Sequence, residues 1–255
     1  GAQVIIPSLT SPWMGLSQLA ATGTSLTSLS VAATVGAGQF LYHDSAHLTT
    51  ALCISLPSIV AARFGSRLAG KISSEVHALI FNGLSVVLIP THFVVQQWRQ
   101  NQKADPKALS DMSTSVVDAR KAEPAARQPA SLSVSTPFTL PPPEVMAKHA
   151  GFGAVCGMLS ALMGVGGLPL TISYLTLSLP EMPHHIGTAM CSVLPSVLTS
   201  AYIQGKAGHT PMSLAAAVCC GSVLGSSFGA RVALALEEEQ LRNFFIASLV
   251  ILGGR

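Results

Sequence analysis

The sequence predicts an all-α fold: a polytopic transmembrane helix bundle built from two homologous halves. Three observations carry this. Of 255 residues, 49% are hydrophobic and only 10% charged, with a mean hydropathy of +0.52, whereas a soluble domain carries about 25% charged residues. Twelve of the 25 Lys, Arg, Asp and Glu residues are concentrated between Arg99 and Lys148. The apolar stretches on either side are long enough to cross a bilayer, which takes about 20 helical residues.

In chain order, residues 1–10 read as the remnant of an element whose leading helix is missing, as in a truncated gene product. Helices are expected at 17–41, 46–66 and 75–96, then at 148–166, 184–204, 211–236 and 240–254. Several are rich in Gly, Ala, Ser and Thr, as in GTSLTSLSVAATVGAG. Small residues let helices approach closely in lipid, which suits a packed bundle. The chain thus divides into a first membrane block at 1–96, a linker at 97–147 and a second block at 148–255. The linker is polar and Ala/Ser/Pro-rich without a helical stripe, the composition of a flexible connection. A net charge of +3 gives no reason to expect a nucleic-acid partner.

The two halves match without a gap when the sequence is shifted by 164 residues. Gly23-Thr24 then falls on Gly187-Thr188, Ser28 on Ser192 and Ser58 on Ser222. Phe64-Gly65-Ser66-Arg67 falls on Phe228-Gly229-Ala230-Arg231. Internal duplication is a common transporter architecture, with the binding site at the repeat interface. Arg67 and Arg231 end equivalent helices and are expected to reach the headgroups. A cytoplasmic preference of both would make the halves parallel. The basic residues that open the linker argue against this, and a re-entrant or inverted arrangement would remove the conflict.

Candidate binding residues follow from helix breaks and repeated hydroxyls. Gly164, Gly166 and Gly167, followed by Pro169, should interrupt a helix within an apolar stretch. Unpaired backbone at membrane depth is tolerated only inside protein or beside a water-filled cavity. A half-helix amino end there favours an anion; the alternative is a close helix contact. Thr24, Ser25 and Ser28, with Thr188 and Ser192 in the second half, could donate to an oxyanion, or could bond to their own helix backbone. Pro195 could kink its helix. Most histidines fall at helix ends as wet interfacial residues, with His184-His185 the best placed for proton coupling. The five cysteines read as small buried hydrophobes. No catalytic constellation, cofactor motif or metal-ligand spacing appears. Gly225-Ser226-Ser227 reads as packing, because its neighbour Phe228-Gly229 belongs to the repeat.

GMLSALMGVGGLPLTISYL, IGTAMCSVLPSVLTSAYIQGKAG and GSVLGSSFGARVALALEEEQLRNFFIASLVILGG resemble the second half of the sulfite exporter TauE/SafE family. That family repeats a glycine-rich helix, a G-T-S helix, an FGAR-like helix end and an L-R-x-x-F helix. QVIIPSL, TGTSLTSLS and RFGSRLAGKI are similar to the same elements in the first half. The resemblance implies a multi-helix carrier for a small anion of the sulfite, organosulfonate or small-carboxylate class, and leaves proton coupling open. The glycine run here lacks the third consecutive glycine frequent in the family, and Ala189 stands where the first half has Ser25. The expected function is secondary transport of such an anion by alternating access at the repeat interface, with the lipid bilayer as the other partner. The alternative is a membrane sensor or assembly subunit acting through the linker. Neither the membrane nor the oligomeric state is specified by the sequence.

Overall fold

The computed structural model describes residues 2–11, 14–73, 75–80, 83, 142–178, 185–236 and 240. Most of the expected helices at 75–96 and 240–254, and the linker as far as Pro141, lie outside the described residues. Among the described residues all regular structure is helical: α1 (Ala2–Thr10), α2 (Gln18–Tyr42), α3 (Leu48–Ala69), α4 (Pro143–Met163), α5 (Leu168–Ser178), α6 (His185–Lys206) and α7 (Met212–Ala235).

Local chemistry sets most of these boundaries. Ser17 caps α2 by accepting the Ala20 N–H at 3.3 Å, one of the donors a helix start leaves unpaired. α4 begins five residues earlier than expected, because Pro143 occupies its first turn, where the missing N–H costs nothing. Of residues 1–10, expected only as a remnant, Ala2–Thr10 form a helix. The stretch expected as one helix at 148–166 ends at Met163, and a separate short helix, α5, follows.

Four helices, α3, α4, α6 and α7, are long and apolar enough to cross a membrane. The distribution of side chains is that of a protein solvated by lipid. Large apolar residues face outward: on α3, Leu48, Leu52, Leu56, Val60, Phe64 and Leu68 form a stripe four residues apart, with Phe64 63% exposed. The interior instead holds hydroxyls, with Thr22, Thr24, Ser25, Thr171, Thr188 and Ser192 wholly buried. In water this arrangement would expose the apolar surface whose burial drives folding. In hydrocarbon only the hydroxyls need partners.

Helix directions follow from contacts between named residues. Gly36 of α2 packs on Met190 of α6, and Leu29 packs with Val197; α2 and α6 are therefore antiparallel. Ser28 bonds Ser222, and Ser226 Oγ donates to Ala32 O at 2.7 Å, so α2 and α7 run parallel. α3 and α4 also run parallel and approach backbone to backbone. A Cβ on Gly157 would lie 2.8 Å from Ser58 Cα, and one on Gly153 would lie 3.1 Å from Ile54 Cα. Glycines four residues apart on one face permit this approach. Since α3 reverses direction after α2, α3 and α7 are antiparallel. Arg67 and Arg231, near their carboxyl ends, thus lie at opposite ends of the bundle, which removes the premise that both face one side.

The ends that flank the α2–α3 and α6–α7 connections also keep the 164-residue spacing. α2 ends at Tyr42 and α6 at Lys206; α3 begins at Leu48 and α7 at Met212.

Candidate functional site at the α4–α5 turn

The chain breaks between α4 and α5 because three of four consecutive residues take the left-handed conformation. Gly164 has φ +71°, Gly166 +78° and Gly167 +69°, a region that costs an L-residue about 1–2 kcal/mol. Gly164 closes α4 by donating its N–H to Ser160 O at 2.9 Å, a common left-handed helix ending. α5 then starts at Leu168, with Pro169 in its first turn.

α5 returns along α4. Cys156 Sγ lies 3.5 Å from Thr171 Oγ1 and 3.6 Å from Gly167 O; further back, His149 Nδ1 lies 2.8 Å from Tyr174 Oη. Phe152 stacks on the Tyr174 ring at a centroid distance of 3.9 Å. Eleven residues rise about 16 Å, roughly half a hydrocarbon core. The carboxyl end of α5 meets the amino end of α6, where Leu175 packs with Ala189 and with Ile54 of α3. α4 and α5 therefore form a helical hairpin whose short second leg returns along the long first one. Gly166 at its tip packs on Leu29 and Val197, near the middle of α2 and α6.

At membrane depth, the carbonyl and N–H groups released by this turn need partners. Ser25 Oγ donates to Gly164 O at 3.0 Å, which ties α2 to the tip. Pro169 has no N–H and the Thr171 N–H is bonded to Gly167 O, so the first turn of α5 leaves the Leu168 and Leu170 N–H groups without intrahelical acceptors, and the positive end of its dipole points the same way. Ser160 adds a hydroxyl that is 4% exposed and has no hydrogen-bond partner among the described residues. It faces Gly167 across a space of about 10 Å³ lined also by Met163 and Val165, close to the minimum for one water. On the other side of Val165 lies a cavity of about 60 Å³ between the tip, α2 and α6. A turn of this kind can offer donors to one small anion without a fixed cation.

The expected site residues do not form a single cluster. Ser25, Gly164, Gly166 and Gly167 come together at the tip. Ser28 instead bonds Ser222 of α7, and Thr24 Oγ1 donates to Ala20 O at 2.8 Å. Ser192 Oγ donates to Ala189 O at 2.8 Å. Thr188 Oγ1 accepts the His47 N–H at 2.8 Å and so caps the amino end of α3. Measured from the Gly36–Met190 contact, Thr24 and Thr188 lie about 20 Å apart along the antiparallel pair. Their glycine neighbours explain why both segments read alike. Gly23 packs against His209 and Thr210, and Gly187 against Ser45 and Phe40. In each case glycine admits the connection that follows the opposite helix.

The sequence reading missed Ser160, whose only signal is its place four residues before Gly164. It also missed the His149–Tyr174 pair. The expectation of wet histidines fails at His77 and His149, each 2% exposed. His77 Nε2 lies 3.4 Å from Thr22 Oγ1, and His149 has Tyr174. His184 lies outside the described residues. All five cysteines are free thiols.

The family model described as sulfite exporter TauE/SafE matches residues 95–255, more than half the chain, and leaves residues 1–94 outside the match. No curated protein and no solved structure matches the chain. On this match, with apolar helices that make it an integral multi-pass membrane protein, the chain belongs to the TauE/SafE sulfite exporter family, a family of membrane transporters and not of enzymes.

Proposed function

We propose that the chain is a secondary carrier that seats one small anion, of the sulfite, organosulfonate or small-carboxylate class, at the tip of the α4–α5 hairpin. The observation that carries this reading is the left-handed run Gly164–Gly167, held inside the bundle against Thr22, Leu29 and Val197. It aims the amino end of α5 inward, beside Ser25 and the unpartnered Ser160. Dipole and N–H groups together favour negative charge. Among the residues expected at the site, Ser25, Gly164, Gly166 and Gly167 form it directly. Thr24, Ser28, Thr188 and Ser192 brace the helices around it.

In this reading the two membrane blocks are inverted repeats, and the carrier alternates by rocking one block against the other. The antiparallel α2–α6 pair, the parallel α2–α7 pair and the common 164-residue spacing support it. Proton coupling would fall to His149, buried against Tyr174 on the two legs of the hairpin, where a charge change would act on the tip's support.

Counterflow of sulfite in proteoliposomes, with and without a pH gradient, tests the proposal. Saturable counterflow is expected. Flux that rises linearly with concentration and shows no counterflow would replace the carrier with a channel. No flux from folded protein across a panel of small anions would end the transport reading for this chain.

A further inference from the structure

We infer that the anion carried here has one polar end and a short apolar chain of about three carbons, and that the chain occupies the cavity between the hairpin tip, α2 and α6. The inference rests on the carrier reading above and concerns the substrate of that same site. The cavity has a volume of about 60 Å³. On the same measure a water needs about 10–15 Å³, so the space admits roughly four to six atoms. Gly166 and Leu168 of the turn form one wall, beside the amino end of α5. The remainder is made by side chains such as Leu29, Ala33, Met190, Val193 and Val197. Every described residue lining it is a hydrocarbon, a thioether or glycine.

Volume alone would admit sulfite; the polarity of the walls argues against it as the preferred substrate. All three oxygens of sulfite need donors once water is removed, and the cavity offers them only along the turn. A substrate with an apolar chain keeps its oxygens at that edge and turns methylenes toward Val193 and Val197. Burial of each methylene is worth about a fourfold gain in affinity.

The test is the KM for counterflow of sulfite and of straight-chain alkanesulfonates from methane- to hexanesulfonate, measured on the whole chain in proteoliposomes. KM is expected to fall by about fourfold per added carbon until about the third, then level or rise as the cavity fills. Ala33→Leu, which fills the cavity, should flatten that gradient. The gradient in the unaltered protein is read independently, so the inference can be tested even if the variant does not fold. Sulfite counterflow with a KM that stays level or rises along the series would overturn the chain-binding inference and leave the carrier reading intact. A gradient that survives in folded Ala33→Leu would also overturn it. Absence of counterflow for sulfite and all the sulfonates would instead remove the carrier reading on which the inference rests.

Discussion

Replacing Gly164 with alanine should be among the most damaging single-methyl changes in the chain, and the structure says why in two separable parts. At φ +71° an L-residue costs about 1–2 kcal/mol. The added Cβ would also lie 2.8 Å from Thr22 Cγ2 and 3.2 Å from both Thr22 Cα and Ile6 Cδ1. Relief requires α2 to shift, and such overpacking costs about 1–3 kcal/mol. The total is about 2–5 kcal/mol. Gly225→Ala is the matched control: its φ is not left-handed and no described residue lies within 4 Å of the added carbon, so in mid-helix it should gain about 0.5–1 kcal/mol. Thr22→Ser removes the nearest methyl, so the Gly164→Ala/Thr22→Ser double variant should recover about 1 kcal/mol and retain the backbone cost. Equilibrium unfolding in mixed micelles measures all four proteins. A Gly164→Ala protein within about 0.5 kcal/mol of the unaltered chain would refute the conformation assigned to the turn.

Ser25→Ala should cost about 1 kcal/mol of stability, the usual net worth of one buried hydrogen bond, because Gly164 O loses its donor; unfolding measures it. Thr188→Val should destabilise by about 1 kcal/mol more than Thr24→Val in the same assay. The first leaves the His47 N–H without its acceptor, while the second removes only a bond back to the preceding turn of its own helix. Arg67→Cys and Arg231→Cys, in a background without the native cysteines, should react with a membrane-impermeant thiol reagent from opposite faces of oriented vesicles. Labelling of both from one face would contradict the antiparallel placement of α3 and α7.

How far the sequence could be read depended on whether local chemistry or tertiary contact decided each feature. Helices α2, α3, α6 and α7 follow from long apolar runs, and their observed ends fall within three residues of expectation. The break after Met163 was visible in its glycines, because three left-handed residues in four require them. What those glycines lead into was not visible: α5 is only 11 residues long and lies in a stretch whose composition differs little from that of a crossing helix. The direction of the two membrane blocks was hidden for another reason. A shift of 164 residues aligns two segments equally well whether they run parallel or inverted. Only contacts such as Gly36–Met190 and Ser28–Ser222 distinguish the two. The repeated Gly-Thr pairs suggested a shared pocket; inversion places them at opposite ends of α2 and α6. Ser160 could not have been singled out among so many small polar residues, since its distinction is the absence of a partner in three dimensions.

The central claim is that a small anion sits between the hairpin tip, α2 and α6. The most direct measurement is substrate protection of a cysteine placed there. Ala33→Cys, in a background without the native cysteines, puts a thiol in the wall of the cavity that Gly166 also lines. Its reaction with a small water-soluble thiol reagent would be timed while the concentration of a transported anion is raised. The account predicts that labelling slows, with half-protection near the KM for counterflow of the same anion. Labelling at an unchanged rate, in a variant that still transports the anion with saturation, would place the substrate elsewhere in the bundle.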